Sequence, residues 1–171
     1  MTILIAVASK HGSTREIAQA IAEDLRAKEL VVDLREAGEI ASIDGYDAVM
    51  LGSGIYAGSW LPEAKHFAET QRTELARLPV WLFSSGPLGD DPQPHDDPQK
   101  LAAPLGDVVV RDHRIFVGKL DRQNLGFGER LIARVVGVPE GDFRDWDAIH
   151  AWAGEIAVAL APAVASSDIL S

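Results

Sequence analysis

The 171-residue sequence contains no cysteine. That excludes disulfides, thiolate catalysis and cysteine-ligated metals or iron–sulfur clusters. Basic residues are also short: 16 Lys and Arg stand against 26 Asp and Glu, a formal net charge of −10. Such an excess argues against nucleic-acid binding and against general attraction to anionic lipid. No apolar run approaches the roughly 20 residues that a membrane span needs. Met1-Thr2 leads straight into an apolar strand with no basic stretch before it, so no signal peptide is expected and a cytoplasmic location is. Several motifs are missing too. There is no Gly-x4-Gly-Lys-Ser/Thr, and Gly52-x-Gly54-x3-Gly58 has the wrong spacing for a dinucleotide fingerprint and sits on the third strand rather than the first. The third strand ends Leu51-Gly52-Ser53, without the carboxylate a phosphoacceptor receiver needs. His66, His95, His113 and His150 show no ligand spacing, so no metal site is expected.

What the chain does have is a regular order. Ile3-Leu4-Ile5-Ala6-Val7-Ala8 reads as a buried strand, followed by the turn Ser9-Lys10-His11-Gly12-Ser13-Thr14. From Ser13 to Lys28 the residues Ile17, Ala18, Ile21 and Leu25 recur at helical spacing, with Ser13 or Thr14 as the expected N-cap. Leu30–Leu34 and Ala48–Gly52 read as the second and third strands. Pro62 suits a first helical turn, and that helix carries Ala64, Phe67 and Ala68 toward a core. Pro79–Ser84 reads as a fourth strand, Ser85–Pro98 as a long surface loop, Gln99–Leu105 as a short helix and Arg114–Gly118 as a fifth strand. A last helix over Asp145–Leu160 places Ile149, Trp152, Ile156 and Leu160 on one face. Strands alternating with helices predict a parallel sheet covered on both sides, with ligands bound beyond the carboxyl ends of the strands where strand order reverses. The expectation is one α/β domain over residues 1–171, with an insertion at 119–144 and a tail at 166–171.

Three segments should emerge at that edge. The first is Ser9–Thr14, the second Ser53-Gly54-Ile55-Tyr56-Ala57-Gly58-Ser59-Trp60, and the third Ser84-Ser85-Gly86-Pro87-Leu88-Gly89. Gly and Ser let backbone approach a ligand closely and supply hydroxyls without bulk. A helix N-terminus behind the first segment adds unpaired N–H groups and the positive end of the helix dipole, a cradle for one phosphate. Tyr56 and Trp60 could stack on a flat ring or staple the segment to the core. Lys10 either pairs with the phosphate or points to solvent, and His11 either donates to a ligand or is solvated. A phosphate cradle beside an aromatic wall suits a mononucleotide with a planar base.

At these residues the chain resembles the flavodoxin family. Ser9, Lys10, His11, Gly12, Ser13 and Thr14 match that family's FMN phosphate loop position by position, and the likeness extends over almost the whole chain. Within the superfamily it looks most like the flavodoxin-type, menaquinone-dependent protoporphyrinogen oxidases. The Ser-Lys-x-Gly-Ser-Thr-Arg-Glu-Ile-Ala start, the Gly-Ser-Gly-Ile-Tyr-Ala-Gly second segment and an insertion before Asp145-Trp146 carry that likeness. The resemblance implies a flavodoxin-like three-layer sandwich with a five-stranded parallel sheet in the order 2-1-3-4-5. It implies FMN as cofactor, held by Ser9, Lys10, His11, Gly12, Ser13 and Thr14, by Ser53, Gly54, Ile55, Tyr56, Ala57 and Gly58, and by Ser84, Ser85, Gly86, Pro87, Leu88 and Gly89. No side chain there is an obvious general base, so the chemistry would rest on the cofactor.

Two functions follow as expectations. One is an FMN-dependent oxidoreductase that oxidises protoporphyrinogen or a related organic substrate with a quinone as acceptor. It requires a groove between the second segment and the insertion. The other is an acidic one-electron carrier docking on redox partner proteins, which the net charge and Asp90, Asp91, Asp96 and Asp97 favour. The insertion has an apolar side from Leu120, Leu125, Phe127, Leu131, Ile132, Val135 and Val136. That side is expected to pack over the sheet edge or form a homodimer contact, with docking of a quinone, porphyrin or membrane surface as the alternative. In the resembled family the insertion is strongly basic. Here Lys119, Arg122, Arg130, Arg134 and Arg144 are nearly balanced by Asp121, Glu129, Glu140 and Asp142.

Overall fold

A computed structural model describes residues 1–86, 97–120, 141–142 and 144–161. Pro87, Leu88, Gly89, Asp90, Asp91 and Asp96, the interior of the insertion and the tail lie outside the described residues. The elements run β1 (Thr2–Ala8), α1 (Ser13–Ala27), β2 (Val31–Glu36), a 3-10 turn (Ala37–Glu39), β3 (Ala48–Tyr56), β4 (Ser59–Trp60), α2 (Pro62–Thr70), α3 (Arg72–Leu75) and β5 (Val80–Ser85). They continue with α4 (Pro98–Leu101), a second 3-10 turn (Ala103–Leu105), β6 (Asp112–Phe116), the short strands β7 (Lys119–Leu120) and β8 (Gly141–Asp142), and α5 (Trp146–Leu160).

The main sheet is ordered β2-β1-β3-β5-β6, and β4 pairs only with β3. All four pairings along that path are parallel. With β4 set aside as the arm of a hairpin, the five parallel strands lie in the expected 2-1-3-4-5 order. β1 lies inside the sheet between β2 and β3, and Ile3 through Val7 are fully buried on both faces, as a near-continuous apolar run in a covered parallel sheet must be. Alternation divides it: Ile3, Ile5 and Val7 join a core with α1 and α5, while Leu4, Ala6 and Ala8 join a second core with α2. The α1 stripe Ile17, Ala18, Ile21 and Leu25 and the α5 stripe Ile149, Trp152, Ile156 and Leu160 close the first core. Ala64, Phe67 and Ala68 close the second. Among the described residues no helix is long and apolar enough to cross a membrane.

Three expectations are corrected. The residue capping α1 is Gly12, in the left-handed conformation at φ 88°, and neither Ser13 nor Thr14 caps it with a side chain. The third strand does not stop at Gly52. It continues to Tyr56 and turns back through Ala57 (φ 51°) and Gly58 (φ 74°) into β4. Positive φ at both central residues is the geometry of a two-residue hairpin turn whose twist matches its strands. The fifth parallel strand is Asp112–Phe116 rather than 114–118.

Candidate functional site

Strand register brings the three segments to one edge. Ala8 pairs with Ser53, Ser53 with Ser84, and Ser84 with Ile115, one row across four adjacent strands. Beyond it the first segment turns into α1, β3 runs on into its hairpin, and β5 ends at Gly86. The segments also touch. A Cβ on Gly54 would lie 3.3 Å from the Thr14 hydroxyl, and one on Gly86 would lie 3.4 Å from the Ile55 Cβ. The Lys10 ammonium lies 4.0 Å from the Tyr56 ring centroid.

In the first segment the Ser9 hydroxyl accepts a hydrogen bond from the Gly12 N–H at 3.0 Å, closing the turn on itself. Glu16 N–H donates to the Gly12 carbonyl at 3.0 Å, the first helical bond of α1. Helix geometry leaves the preceding N–H groups, those of Ser13, Thr14 and Arg15, without intrahelical acceptors. Beside them the Ser13 hydroxyl is buried and has no hydrogen-bond partner among the described residues. A buried hydroxyl left unpaired is unfavourable by about 1–3 kcal/mol. Next to a helix N-terminus, an oxyanion such as a phosphate monoester would satisfy it and the N–H groups together. The residues therefore fit the phosphate group that the resemblance implies. Lys10 and His11 are exposed and Thr14 is buried.

The other two segments spend their hydroxyls internally. Ser53 Oγ donates to the Gly54 carbonyl (2.8 Å) and accepts from the Leu61 N–H (3.1 Å), fixing the entry to α2. Ser84 Oγ accepts from Trp60 Nε1 at 2.9 Å and lies 2.8 Å from His113 Nε2. Indole nitrogen only donates, so Ser84 Oγ accepts from Trp60, while the direction of its bond with His113 Nε2 is set by the imidazole tautomer, that is, by whether Nε2 or Nδ1 carries the ring proton. Nδ1 is buried without a hydrogen-bond partner among the described residues. Burial pushes the His113 pKa down to about 4, against the opposing pull of Asp112 and the Pro98 backbone. Trp60 is thus no wall for a flat ring. It is 2 % exposed and meets His113 edge-on at 6.0 Å, because the Ile55–Trp60 pairing turns it into the core. Tyr56, 49 % exposed, remains the aromatic at the edge. Ser85 is buried, and Gly86 N–H donates to the Phe116 carbonyl at 2.9 Å.

A pocket of about 370 Å³ opens beside the first and second segments, lined among others by Ser9, Lys10, Tyr56, Glu36 and Glu63. It lies toward β2 and α2, whereas the expected groove toward the insertion involves residues outside the described set. Asp97 caps α4, accepting from the Gln99 N–H at 2.9 Å. Among the described residues no cluster of His, Asp or Glu could hold a metal.

Sequence reasoning missed two features. One is the Trp60–Ser84–His113 chain. The other is Arg144, whose side chain is 4 % exposed. Its Nη1 donates to Glu16 Oε2 (2.5 Å) and lies 3.5 Å from the Ser13 carbonyl; its Nε and Nη2 donate to Asp142 (2.8 and 2.6 Å). The guanidinium also lies 4.5 Å from the Trp146 ring. The hydrogen bond to Asp142 raises its pKa, burial opposes, and Glu16 adds to the rise. Glu16 and Arg144 are 128 residues apart, and no local pattern signals their contact.

An open, doubly wound parallel sheet whose loops gather at the switch point defines a class of α/β domain that binds ligands beyond the carboxyl ends of its strands. The chain belongs to the flavodoxin-domain family, whose model matches residues 4–147. No curated protein sequence matches it significantly. Among solved structures it is similar to a flavodoxin from the domain Archaea (TM-score 0.62, 17% identity, 93% of this chain and 98% of that one). It is similar also to the apo form of an NADH:FMN oxidoreductase (TM-score 0.59, 13% identity, 95% and 91%). A third is the rubredoxin oxygen:oxidoreductase of Desulfovibrio gigas (TM-score 0.58, 16% identity), where the match covers 92% of this chain but 35% of that one. At these identities the likeness is one of fold.

Proposed function

We propose that the chain binds FMN with its phosphate in the Ser9–Thr14 turn and works as an FMN-dependent oxidoreductase. The reduced substrate would be protoporphyrinogen or a related organic molecule, with a quinone as acceptor. The observation that carries the cofactor reading is the buried, unpartnered Ser13 hydroxyl beside the N-terminus of α1. When bound, FMN supplies the redox chemistry by accepting and passing on electrons through its ring system. The chain supplies binding and placement. Ser9 fixes the shape of the turn through its bond from the Gly12 N–H, and Ser13 with the first N–H groups of α1 takes the phosphate. Tyr56, fixed on its hairpin beside Lys10, offers an aromatic face at the same edge. Ser53 and Ser84 hold β3, β4 and β5 in register beneath. The substrate class rests on the motif resemblance alone.

The test is the visible absorption spectrum of the purified protein, followed by titration with FMN and with riboflavin. Tight FMN binding with much weaker riboflavin binding is expected, and turnover assays with protoporphyrinogen and quinones then address the substrate. Equal affinity for both flavins would overturn the phosphate assignment. The second reading, a carrier for a basic redox partner, is favoured by the net charge of −10. It predicts electron transfer that slows steeply with added salt and no turnover of a free organic substrate.

A further inference from the structure

We infer that Arg144 is a positioning residue for the phosphate cradle: it neutralises Glu16 on the first turn of α1 and ties that turn to the base of the insertion. The inference rests on the reading of Ser9–Thr14 as the FMN phosphate site.

Glu16 lies about 4.5 Å of helix rise beyond Ser13. A carboxylate there is favoured by the helix dipole, which is the same field that a bound phosphate uses. With no counter-ion, Glu16 and the phosphate would repel across the first turn. Arg144 removes that conflict with a charge that is sequestered from water and fixed in place. Two hydrogen bonds donated to Asp142 hold the guanidinium, the Trp146 ring covers it, and Nη1 meets Glu16 while reaching toward the Ser13 carbonyl. Asp142 belongs to β8, which pairs with β7 through Lys119–Asp142 and Leu120–Gly141. One side chain therefore spans from the strands that close the insertion to the residue whose hydroxyl awaits the phosphate.

The experiment compares FMN and riboflavin dissociation constants, at low and high salt, for the full chain and the variants Arg144→Gln, Glu16→Gln and the double variant. Arg144→Gln is expected to weaken FMN about fivefold at low salt while leaving riboflavin unchanged. Adding Glu16→Gln should restore part of the lost FMN binding, because the Glu16 charge is gone while Asp142, which also pairs with Arg144, keeps its own. Glu16→Gln alone, a half-exposed change that leaves the core intact, should tighten FMN about threefold; it decides the matter if Arg144→Gln fails to fold. A merely structural role gives a different pattern: both flavins weaken together, and the double variant is no better than Arg144→Gln. Either that pattern or weaker FMN binding by Glu16→Gln overturns the inference while leaving the FMN reading standing. Wild-type protein that binds no FMN overturns both.

Discussion

The ends of β1 and β5 are built from the same small vocabulary of Ser and Gly, and they do opposite things with it. At the β1 end the Ser13 hydroxyl is buried and unpaired among the described residues. At the β5 end the Ser84 hydroxyl is engaged on both sides, accepting from Trp60 Nε1 and hydrogen-bonded to His113 Nε2. The difference lies in the neighbours. Next to Ser84 two large polar-tipped rings fold inward and consume its hydrogen-bonding capacity. Next to Ser13 there is a helix N-terminus, which offers donors and no acceptor. An unpaired hydroxyl beside the free N–H groups of a helix suits an anion, whereas a hydroxyl bridging two ring nitrogens holds strands together. Composition alone does not separate the two.

Four measurements press on that contrast. The largest effect is expected from pH. The folded His113 pKa of about 4 lies below the ordinary 6.5, so the unfolded chain takes up the proton first. Its contribution is fully present above pH 6.5 and is lost as pH falls toward 4, on the order of 2–3 kcal/mol. Urea unfolding at pH 7 and at pH 4.5 should show the wild-type advantage over His113→Gln shrinking on acidification; a constant gap would refute it. Ser84→Ala comes next. It strands both the indole N–H and the imidazole Nε2, and should destabilise by about 2 kcal/mol in denaturant titrations. The FMN-to-riboflavin affinity ratio should not move. Ser13→Ala is the converse: stability within about 0.5 kcal/mol of wild type or slightly improved, but FMN affinity down about tenfold through one lost charge-assisted hydrogen bond. If Ser13→Ala destabilised the fold like Ser84→Ala, the two ends would not differ as described. The smallest effect is for Tyr56→Leu, which removes an exposed cation–π contact with Lys10 worth about 0.5 kcal/mol.

How much of this was legible in the residues follows from the range of each signal. The strands and helix faces could be read because burial on one or both faces writes itself into short-range periodicity, as in Ile3–Ala8 and in the α5 stripe; the order of the strands came from the family resemblance. The length of β3 could not. Ser53, Gly54 and Gly58 have the composition of a loop, and only hydrogen bonding to β1, β5 and β4 makes residues 53–56 strand. The α1 cap was misassigned because Ser and Thr are good capping residues by chemistry, yet the turn reverses at Gly12, where φ of 88° demands glycine. The cradle itself was legible, being contiguous in sequence. Trp60, His113 and Arg144 were not, since their partners lie 24 to 128 residues away.

The pairing of β7 with β8 has one more consequence, best put in polymer terms. Leu120 and Gly141 are cross-strand partners, so the ends of the 121–140 excursion are already joined by the scaffold. Closing a loop becomes less favourable only logarithmically with its length, about 0.6 kcal/mol per doubling. The entropy of closure between these two strands therefore changes little with the number of residues that join them. The β7–β8 pair acts as a clasp whose cost to the main sheet is set by its own two residue pairs.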